Sequence, residues 1–239
     1  MGLPPLTLNG WLRYDVAVRF LRELDIRSVL EIGAGEGALG ARLAVRYEYV
    51  GLEPDARSFA RARGRIERGR LIEGDLSALE PGAVFDLVCA FEVLEHLQED
   101  AAALREWRGR VRPGGWVLLS VPAFARRFAT WDVKAGHRRR YERAQLADLL
   151  RSCGFEEPRI AAYGFPLGNM LERGRNAVAA FSRPKGSLGE RTAASGRQLQ
   201  PPDWLAPATM IASSPFRLVQ RRFADRDLGT GLVALARRS

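Results

Sequence analysis

The sequence has few of the residues that build disulfide frameworks or metal centres. Among its 239 residues are two cysteines and two histidines. Two cysteines cannot form the bridged framework of a small secreted scaffold, and with two histidines they make a poor set of metal ligands. Cys89 lies within an apolar run and Cys153 precedes a glycine, so we expect both side chains to pack in the core. The sequence therefore predicts no metal site and no disulfide-dependent fold.

Long apolar segments are also missing. No run approaches the roughly 20 apolar residues that a membrane-spanning helix needs, so we expect no transmembrane segment. Residues 1–15, MGLPPLTLNGWLRYD, have no basic start followed by an apolar core, which argues against a signal peptide. Leu6 stands where an N-myristoylation motif requires serine or threonine. The expected location is cytoplasmic.

Lysine is nearly absent, although the chain is basic. Only Lys134 and Lys185 are lysines among the 37 basic residues, and the net charge is +9. Such a charge can indicate binding to nucleic acid. The arginines are spread along the chain, as in a GC-rich coding sequence, and only GHRRRY at 136–141 forms a local patch. We therefore do not expect nucleic acid as a partner.

Apolar strands and helical patterns alternate regularly. Strand patterns occupy 28–34, 47–53, 69–75, 85–92, 115–121, 158–164 and 229–237, and helical spacing occupies 11–24, 36–46, 55–67, 99–111 and 165–181. A further helical pattern ends at Gly154. Continuous apolar strands are typical of parallel sheets covered on both faces, and strands that alternate with helices predict an α/β fold.

The first strand leads into the glycine-rich stretch VLEIGAGEGALG at residues 29–40. Gly33-x-Gly35 and an acid at Glu53, 20 residues after Gly33, fit a loose dinucleotide fingerprint as well as other nucleoside cofactors. Glu31 helps to separate these ligands. A pyrophosphate would be repelled by this carboxylate and an ammonium attracted, by up to roughly 4 kcal/mol at ~4 Å in a dielectric of about 20. Glu31 could instead be a structural residue that binds nearby backbone amides.

The order of the motifs resembles that of the class I S-adenosylmethionine-dependent methyltransferases. VLEIGAGEGALG resembles the family's first motif, GLEPD the second and EGDL the third. FDLVCAFEVLEHL and VRPGGWVLLSVP resemble the blocks around strands four and five. The resemblance covers residues 28–160. It implies a Rossmann-like α/β fold with a seven-stranded, mostly parallel sheet, helices on both faces and an antiparallel last strand, which GTGLVALAR at 229–237 would form.

The resemblance also implies S-adenosyl-L-methionine as the cofactor. The implied binding residues are Glu31, Gly33, Ala34, Gly35, Gly37, Glu53, Asp75, Leu76 and Phe91. Glu31 would lie near the methionine amine, and Glu53 would bind the ribose hydroxyls. Asp75 would accept from the adenine amino group, with the backbone of Leu76 beside it. Asp75 could equally be a turn residue at the end of a strand.

We interpret residues 1–239 as a single methyltransferase domain. Residues 28–122 would form the cofactor-binding half, and 123–141, rich in aromatic residues and arginine, would form a lid over the acceptor. Residues 164–225 would be a variable, partly helical insertion on the acceptor side. Within it, residues 182–203 have few apolar side chains and predict a mobile loop.

The expected reaction is transfer of a methyl group to a small-molecule acceptor, on oxygen. The segment after the fourth strand, AFEV at 90–93, lacks the Asn/Asp-Pro-Pro-Tyr/Phe pattern of family members that methylate amides or base amino groups. Alignment can supply much of the rate, and a base is needed only where the acceptor must lose a proton. His137 and His96 are the candidate bases. We expect turnover to need no metal.

Several alternatives remain open at this point. His137 could bond the lid to itself, with the acceptor under 164–225, and His96 could be a packed histidine. Arg138, Arg139 and Arg140 could hold an acidic acceptor or be solvated. The chain could be a non-catalytic module that docks a partner or an anionic membrane through an amphipathic 165–181 helix. It could also be a nucleotide-dependent oxidoreductase.

Overall fold

The computed structural model describes residues 2–181 and 201–239. Its strands are β1 (Ser28–Ile32), β2 (Glu48–Glu53), β3 (Arg70–Glu73), β4 (Phe85–Phe91), β5 (Val111–Pro122), β6 (Phe155–Tyr163) and β7 (Gly231–Arg238). Its α-helices are α1 (Leu8–Leu21), α2 (Gly40–Ala44), α3 (Ala56–Arg65), α4 (Asp100–Arg110), α5 (Thr130–Ala135), α6 (Arg143–Ser152), α7 (Leu167–Ala180) and α8 (Ala206–Arg221). No described helix is long and apolar enough to cross a membrane.

The strands form one seven-stranded sheet in the order β3-β2-β1-β4-β5-β7-β6. The pairs from β3 to β5 are parallel, and β7 runs antiparallel to both β5 and β6. This topology confirms the predicted Rossmann-like sheet with its antiparallel last strand.

Alternate residues of the central strands face two different cores. Leu30, Val88 and Leu119 belong to the core on one side of the sheet, and their neighbours Val29 and Leu87 belong to the core on the other side. Helices therefore cover both faces, which explains why the strands are continuously apolar. Cys89 and Cys153 are buried in these cores, as predicted.

The boundaries of several elements differ from the predicted ones, and the starts of α2 and β5 differ by four residues. Helix α2 begins at Gly40 rather than at residue 36, because Gly33, Gly35 and Gly37 take φ values of 73°, 57° and 80°, outside the right-handed helical region. Strand β5 begins at Val111 rather than at 115. Its pairing with β4 jumps between Phe85 and Leu87, an irregularity that accommodates extra residues of the turn within the strand.

The C-terminal part contains a helix that the sequence pattern did not predict. Helix α8 includes prolines and serines of low helix propensity, and it is held by α1. Gln220 Nε2 donates to the Leu12 carbonyl at 2.9 Å, and Arg221 pairs with Asp15 at 2.5 Å. Of the loop predicted at 182–203, residues 182–200 lie outside the described residues, and Asp203–Leu205 form a 3-10 turn.

Candidate active site

A cavity of about 970 Å³ lies at the carboxyl ends of the parallel strands. Its walls include the glycine loop after β1, the end of β2, the segment after β4, and parts of α1, α5 and α7. Open α/β sheets bind ligands at this edge. The walls place most of the sequence-predicted site residues together: Glu31, Gly33, Ala34, Gly35, Glu53, Phe91, His96 and His137.

The three glycines of the loop serve different purposes. A Cβ added to Gly33 would lie 2.7 Å from Cγ2 of Val93, and one added to Gly37 would lie 2.9 Å from the Cα of Ala62. These two positions need glycine for packing as well as for their positive φ. A Cβ added to Gly35 would have no neighbour within 4 Å. Gly35 therefore leaves open space for a ligand at the backbone, while Gly37 does not line the cavity.

Glu53 joins the end of β2 to the glycine loop. Its Oε2 accepts a hydrogen bond from the Gly35 amide at 2.7 Å, and its Oε1 accepts one from the Asp55 amide at 2.9 Å. The side chain is buried but lines the cavity. The loop and the carboxylate are thus held in one unit, in which the carboxylate can accept further hydrogen bonds from hydroxyls.

Glu31 is buried against a tyrosine that the sequence analysis missed. The Tyr49 hydroxyl donates to Oε2 of Glu31 at 2.6 Å. A Cβ on either Gly40 or Gly51 would lie 2.4 Å from that hydroxyl, so these glycines make room for it. Burial raises the pKa of Glu31 to about 8, against the opposing effects of the Tyr49 hydrogen bond and of Arg13. A cationic group bound in the cavity beside Glu31 would therefore stabilise the ionised form of this carboxyl group.

Asp75 and Leu76 lie away from the described cavity walls. Asp75 is exposed and its Oδ1 accepts from the amide and hydroxyl of Ser77 at 2.9 and 2.6 Å. These hydrogen bonds lower the pKa of Asp75. Leu76 is buried in the core. The geometry of Asp75 is that of a residue capping a 3-10 turn, the alternative that the sequence left open.

Residues 123–141, the segment predicted to form a lid, are held by a buried ionic network. Arg140 donates to both oxygens of Asp132 at 2.9 and 2.8 Å and to Glu172 of α7 at 2.6 Å. Nearby, Arg139 pairs with Asp100 at 2.8 Å, and Nε of Arg138 donates to a backbone carbonyl at 3.1 Å. The three consecutive arginines therefore all make contacts within the protein, a role that the sequence interpretation had not considered.

The two histidines meet at the cavity wall. Their rings make an edge-to-face contact with centroids 4.9 Å apart. Nδ1 of His137 lies 2.8 Å from Oδ1 of Asp132, and Nδ1 of His96 lies 3.2 Å from the Gly136 carbonyl oxygen. Burial, and then the neighbouring His137, lower the pKa of His96 to about 4. His96 is therefore neutral at physiological pH.

Glu92 lies beside the histidines in a strained backbone conformation. Its φ is 58°, rare for a residue other than glycine and often found at functional sites. Its Oε1 accepts from Ser120 at 2.9 Å and Tyr163 at 3.0 Å and lies 3.6 Å from Arg13. Arg13 and Tyr163 also line the cavity, although the sequence analysis did not predict them as site residues. Arg13 lay in a helical pattern and Tyr163 in a strand pattern, and neither pattern indicates a binding site.

Glu95 lies behind the histidines with no hydrogen-bond partner for either carboxylate oxygen among the described residues. The side chain is fully buried, and Oε1 lies 3.9 Å from Nε2 of His96 and 3.8 Å from Nε2 of His137. Burial and the nearby Glu92 raise the pKa of Glu95 well above its usual range. The three donor atoms lie within 4.8 Å of one another. The sequence analysis did not foresee that these three side chains would lie together, and its prediction of no metal site stays a prediction.

Helix α7, which lies within the amphipathic 165–181 segment considered for membrane docking, turns one of its arginines inward. Arg175 lines the cavity and lies over the Trp131 ring, 5.2 Å from its centroid. Burial lowers the pKa of Arg175. It is therefore poorly placed to meet an anionic membrane surface.

Comparison with known proteins places these features in context. A family model described as a methyltransferase domain matches residues 12–157. A probable S-adenosylmethionine-dependent methyltransferase of Mycolicibacterium smegmatis is 31% identical over 95% of this chain and 89% of that protein. A ubiquinone biosynthesis O-methyltransferase of Chromobacterium violaceum is 30% identical over 73% of this chain and 66% of that protein. The solved structure of Haemonchus contortus phosphoethanolamine N-methyltransferase 2 with S-adenosyl-L-methionine has a similar fold, with a TM-score of 0.63, 15% identity, and coverage of 99% of this chain and 54% of that one.

Proposed function

We propose that this chain, which belongs to the S-adenosylmethionine-dependent methyltransferases, methylates a hydroxyl oxygen of a small-molecule acceptor. Its cofactor is S-adenosyl-L-methionine. The observation that carries the choice of oxygen is the histidine pair at the cavity wall, with His137 oriented by Asp132 at 2.8 Å. A hydroxyl must lose its proton on attack, and a neutral imidazole near the reacting groups can accept it.

The residues around the glycine loop fit the cofactor. The open space at Gly35 admits a ligand close to the backbone, and Glu53 beside it can accept from ribose hydroxyls. Glu31 would face the methionine ammonium, and Phe91 would supply an apolar wall. The cofactor supplies an electrophilic methyl group on its sulfonium. The protein's task is to align the acceptor with that methyl group and to exclude water.

The histidines are held in orientations suited to proton transfer. Asp132 is ionised and binds Nδ1 of His137, because hydrogen bonds from His137 and Arg140 lower its pKa despite burial. This contact favours the tautomer with a proton on Nδ1, which leaves Nε2 free of a proton. His96 is neutral and lies against His137.

The size and lining of the cavity support a small acceptor. A volume of about 970 Å³ is at the upper end of the roughly 300–1,000 Å³ typical of small-molecule pockets, which leaves room for an acceptor beside the cofactor. Apolar walls are supplied by Leu6, Leu97 and Trp131. The similarity to an O-methyltransferase of ubiquinone biosynthesis is a further support for oxygen as the acceptor atom.

The test is a methyl-transfer assay with hydroxyl and amine acceptors and identification of the methylated atom. We expect O-methylated products. His137→Ala should lower the rate by roughly 10²–10⁴-fold, the usual contribution of a general base, with little change in cofactor affinity. Arg126→Ala, at an exposed position of the same segment, serves as the control. Products methylated on nitrogen alone, or a His137→Ala variant with full rate at every pH, would contradict the proposal.

A further inference from the structure

We propose that Arg175 binds a carboxylate group of the methyl acceptor, so that the preferred acceptors are hydroxylated carboxylic acids. This rests on the function proposed above, since it takes the acceptor to occupy the cavity beside the cofactor. It adds the chemical class of the acceptor and the residue that selects it. The observation behind it is a guanidinium group in the cavity wall that has no counter-ion among residues 2–181 and 201–239.

Arg175 is turned inward by the register of helix α7. Gly168, Glu172 and Ala179 are the buried positions of this helix, and Arg175 lies three residues after Glu172 and four before Ala179. Residues three or four apart share one face of a helix. Arg173, two residues away, is exposed. The same helix therefore directs one arginine into the cavity and another into solvent.

The guanidinium group of Arg175 has no partner that neutralises its charge. Its Nε atom is buried without a hydrogen-bond partner, and no acid in the described part of the chain forms an ion pair with it. Glu172 is the acid whose charge acts on it most strongly, but Oε1 of Glu172 binds Arg140 at 2.6 Å and Oε2 binds Arg127 at 2.8 Å. A buried charge of this kind is costly unless an opposite charge reaches it. A carboxylate fits, because it binds a guanidinium group through two parallel hydrogen bonds and supplies one negative charge.

The position of the guanidinium group is fixed by the segment that carries the proposed base. Arg175 lies over the Trp131 ring, 5.2 Å from its centroid, and the Trp131 amide donates to Oδ1 of Asn176 at 3.2 Å. Asp132, the next residue, contacts His137 at 2.8 Å. Trp131, His137 and Arg175 all line the cavity. An acceptor whose carboxylate binds Arg175 would therefore lie in the same cavity as the imidazole, with an indole wall beside it.

The cofactor also carries a carboxylate, and Arg13 is better placed for it. Burial raises the pKa of Glu31, the residue proposed to face the methionine ammonium, and the positive charge of Arg13 opposes this effect. The acid that acts most strongly on Arg175 is instead Glu172, which binds Arg140 near the end of residues 123–141. Arg13 therefore lies on the cofactor side of the cavity and Arg175 on the acceptor side.

The test is calorimetric titration of the full chain, saturated with S-adenosylhomocysteine, with benzoate and with benzamide at pH 7. The two probes have the same size and shape and differ in charge. We expect benzoate to saturate one site per chain and to bind at least about 10-fold more tightly than benzamide, as for a charge-assisted hydrogen bond. Arg175→Met should bind benzoate as weakly as benzamide, and Arg175→Lys, which keeps the charge, should retain part of the preference. Arg173→Met, at an exposed position of the same helix, is the matched control and should behave as wild type.

The affinity of each variant for S-adenosylhomocysteine is the second readout. It should be unchanged in Arg175→Met, which also shows that the variant is folded. A loss of that affinity in a variant that melts like wild type would mean that Arg175 binds the carboxylate of the cofactor, and would overturn the proposal.

The comparison of the two probes in wild type needs no variant. No saturable binding of benzoate, equal affinities for benzoate and benzamide, or a preference for benzoate that survives in Arg175→Met would each overturn the proposal. Because no methyl transfer occurs in these titrations, a preference for benzoate stands whether the methylated atom is oxygen or nitrogen. Its absence says nothing against O-methylation.

Discussion

Replacing Glu31 by glutamine should stabilise the fold at neutral pH while weakening cofactor binding. Glu31 is 2% exposed and accepts a hydrogen bond from Tyr49 at 2.6 Å. Burial raises its pKa from 4.5 to about 8, so the folded protein keeps a proton that the unfolded chain releases. Stability from this group is therefore fully present below pH 4.5 and is lost as the pH rises to 8. Glutamine does not titrate and avoids this loss.

The size of the effect follows from the difference between the two pKa values. Each unit corresponds to about 1.4 kcal/mol, so the whole window is worth on the order of 5 kcal/mol, and the part between pH 5 and pH 7 about 2–3 kcal/mol. The free energy of unfolding of Glu31→Gln, relative to wild type, should rise by that amount between pH 5 and pH 7. The contributions of the other titrating groups are the same in both proteins, so they cancel in this difference.

Urea denaturation at pH 5, 6, 7 and 8, followed by tryptophan fluorescence, measures the effect. Glu48→Gln, at an exposed position of the neighbouring strand β2, is the control and should show no pH-dependent difference. A Glu31→Gln variant whose stability relative to wild type is the same at pH 5 and pH 7 would refute the burial argument.

Cofactor binding provides a second readout of the same carboxyl group. If the methionine ammonium binds beside Glu31, it favours the carboxylate, and wild type should release up to about 0.9 proton more than Glu31→Gln at pH 7. Calorimetry in buffers of different ionisation enthalpy counts these protons. Affinity should fall by about 10-fold or more in the variant, in line with roughly 1.5–3 kcal/mol for a charged hydrogen bond. Equal affinity and equal proton release would exclude Glu31 from the ammonium site.

Three further predictions concern the cavity and the lid. Glu53→Ala should weaken S-adenosylmethionine binding by about 1.5–3 kcal/mol in calorimetry, and unchanged affinity would remove Glu53 from the ribose site. Gly37→Ala should lower the free energy of unfolding by more than the roughly 1–2 kcal/mol of left-handed backbone strain alone, because the added Cβ would lie 2.9 Å from the Cα of Ala62. Gly35→Ala, whose Cβ would have no neighbour within 4 Å, should lose mainly affinity for the cofactor. Arg140→Met should cost about 3 kcal/mol in urea denaturation, because two buried acids, Asp132 and Glu172, each lose one of their ionic partners. A loss as small as that of Arg139→Ala, which removes a more exposed ion pair, would contradict this.

The sequence predicted the sheet well because burial on both faces leaves a local signature. Each central strand is a short apolar run, and positions such as Val29 and Leu30 pack on opposite cores, so neither could be polar. The antiparallel β7 followed from the family resemblance. The glycine loop was also readable, since positive φ values at Gly33, Gly35 and Gly37 select glycine locally. The predicted start of α2 was wrong for a related reason. The helical spacing of apolar residues does not show where the residues with positive φ end and the helix begins.

Helix α8 could not be predicted because its stability comes from elsewhere in the chain. Pro215 lies inside it, and its low local propensity is offset by contacts of Gln220 and Arg221 with α1. Tertiary packing of this kind routinely overrides intrinsic propensity. The Glu31–Tyr49 contact was hidden in a similar way. It depends on two glycines, Gly40 and Gly51, that make room for one hydroxyl and that have no common motif.

The histidine site shows most clearly what a linear motif cannot contain. His96 follows β4 and His137 lies near the end of residues 123–141, and they meet because this segment returns to the sheet. The Tyr141 amide donates to the Pro122 carbonyl at 3.0 Å, and the Phe124 amide donates to the Tyr141 carbonyl at 3.0 Å, which closes residues 123–141 into a loop. Asp132 then contacts His137 on one side and Arg140 on the other, so the charge network that anchors the lid also orients the imidazole. With His137 as the proposed base, substitutions in this network should alter both the rate of methyl transfer and the stability of residues 123–141.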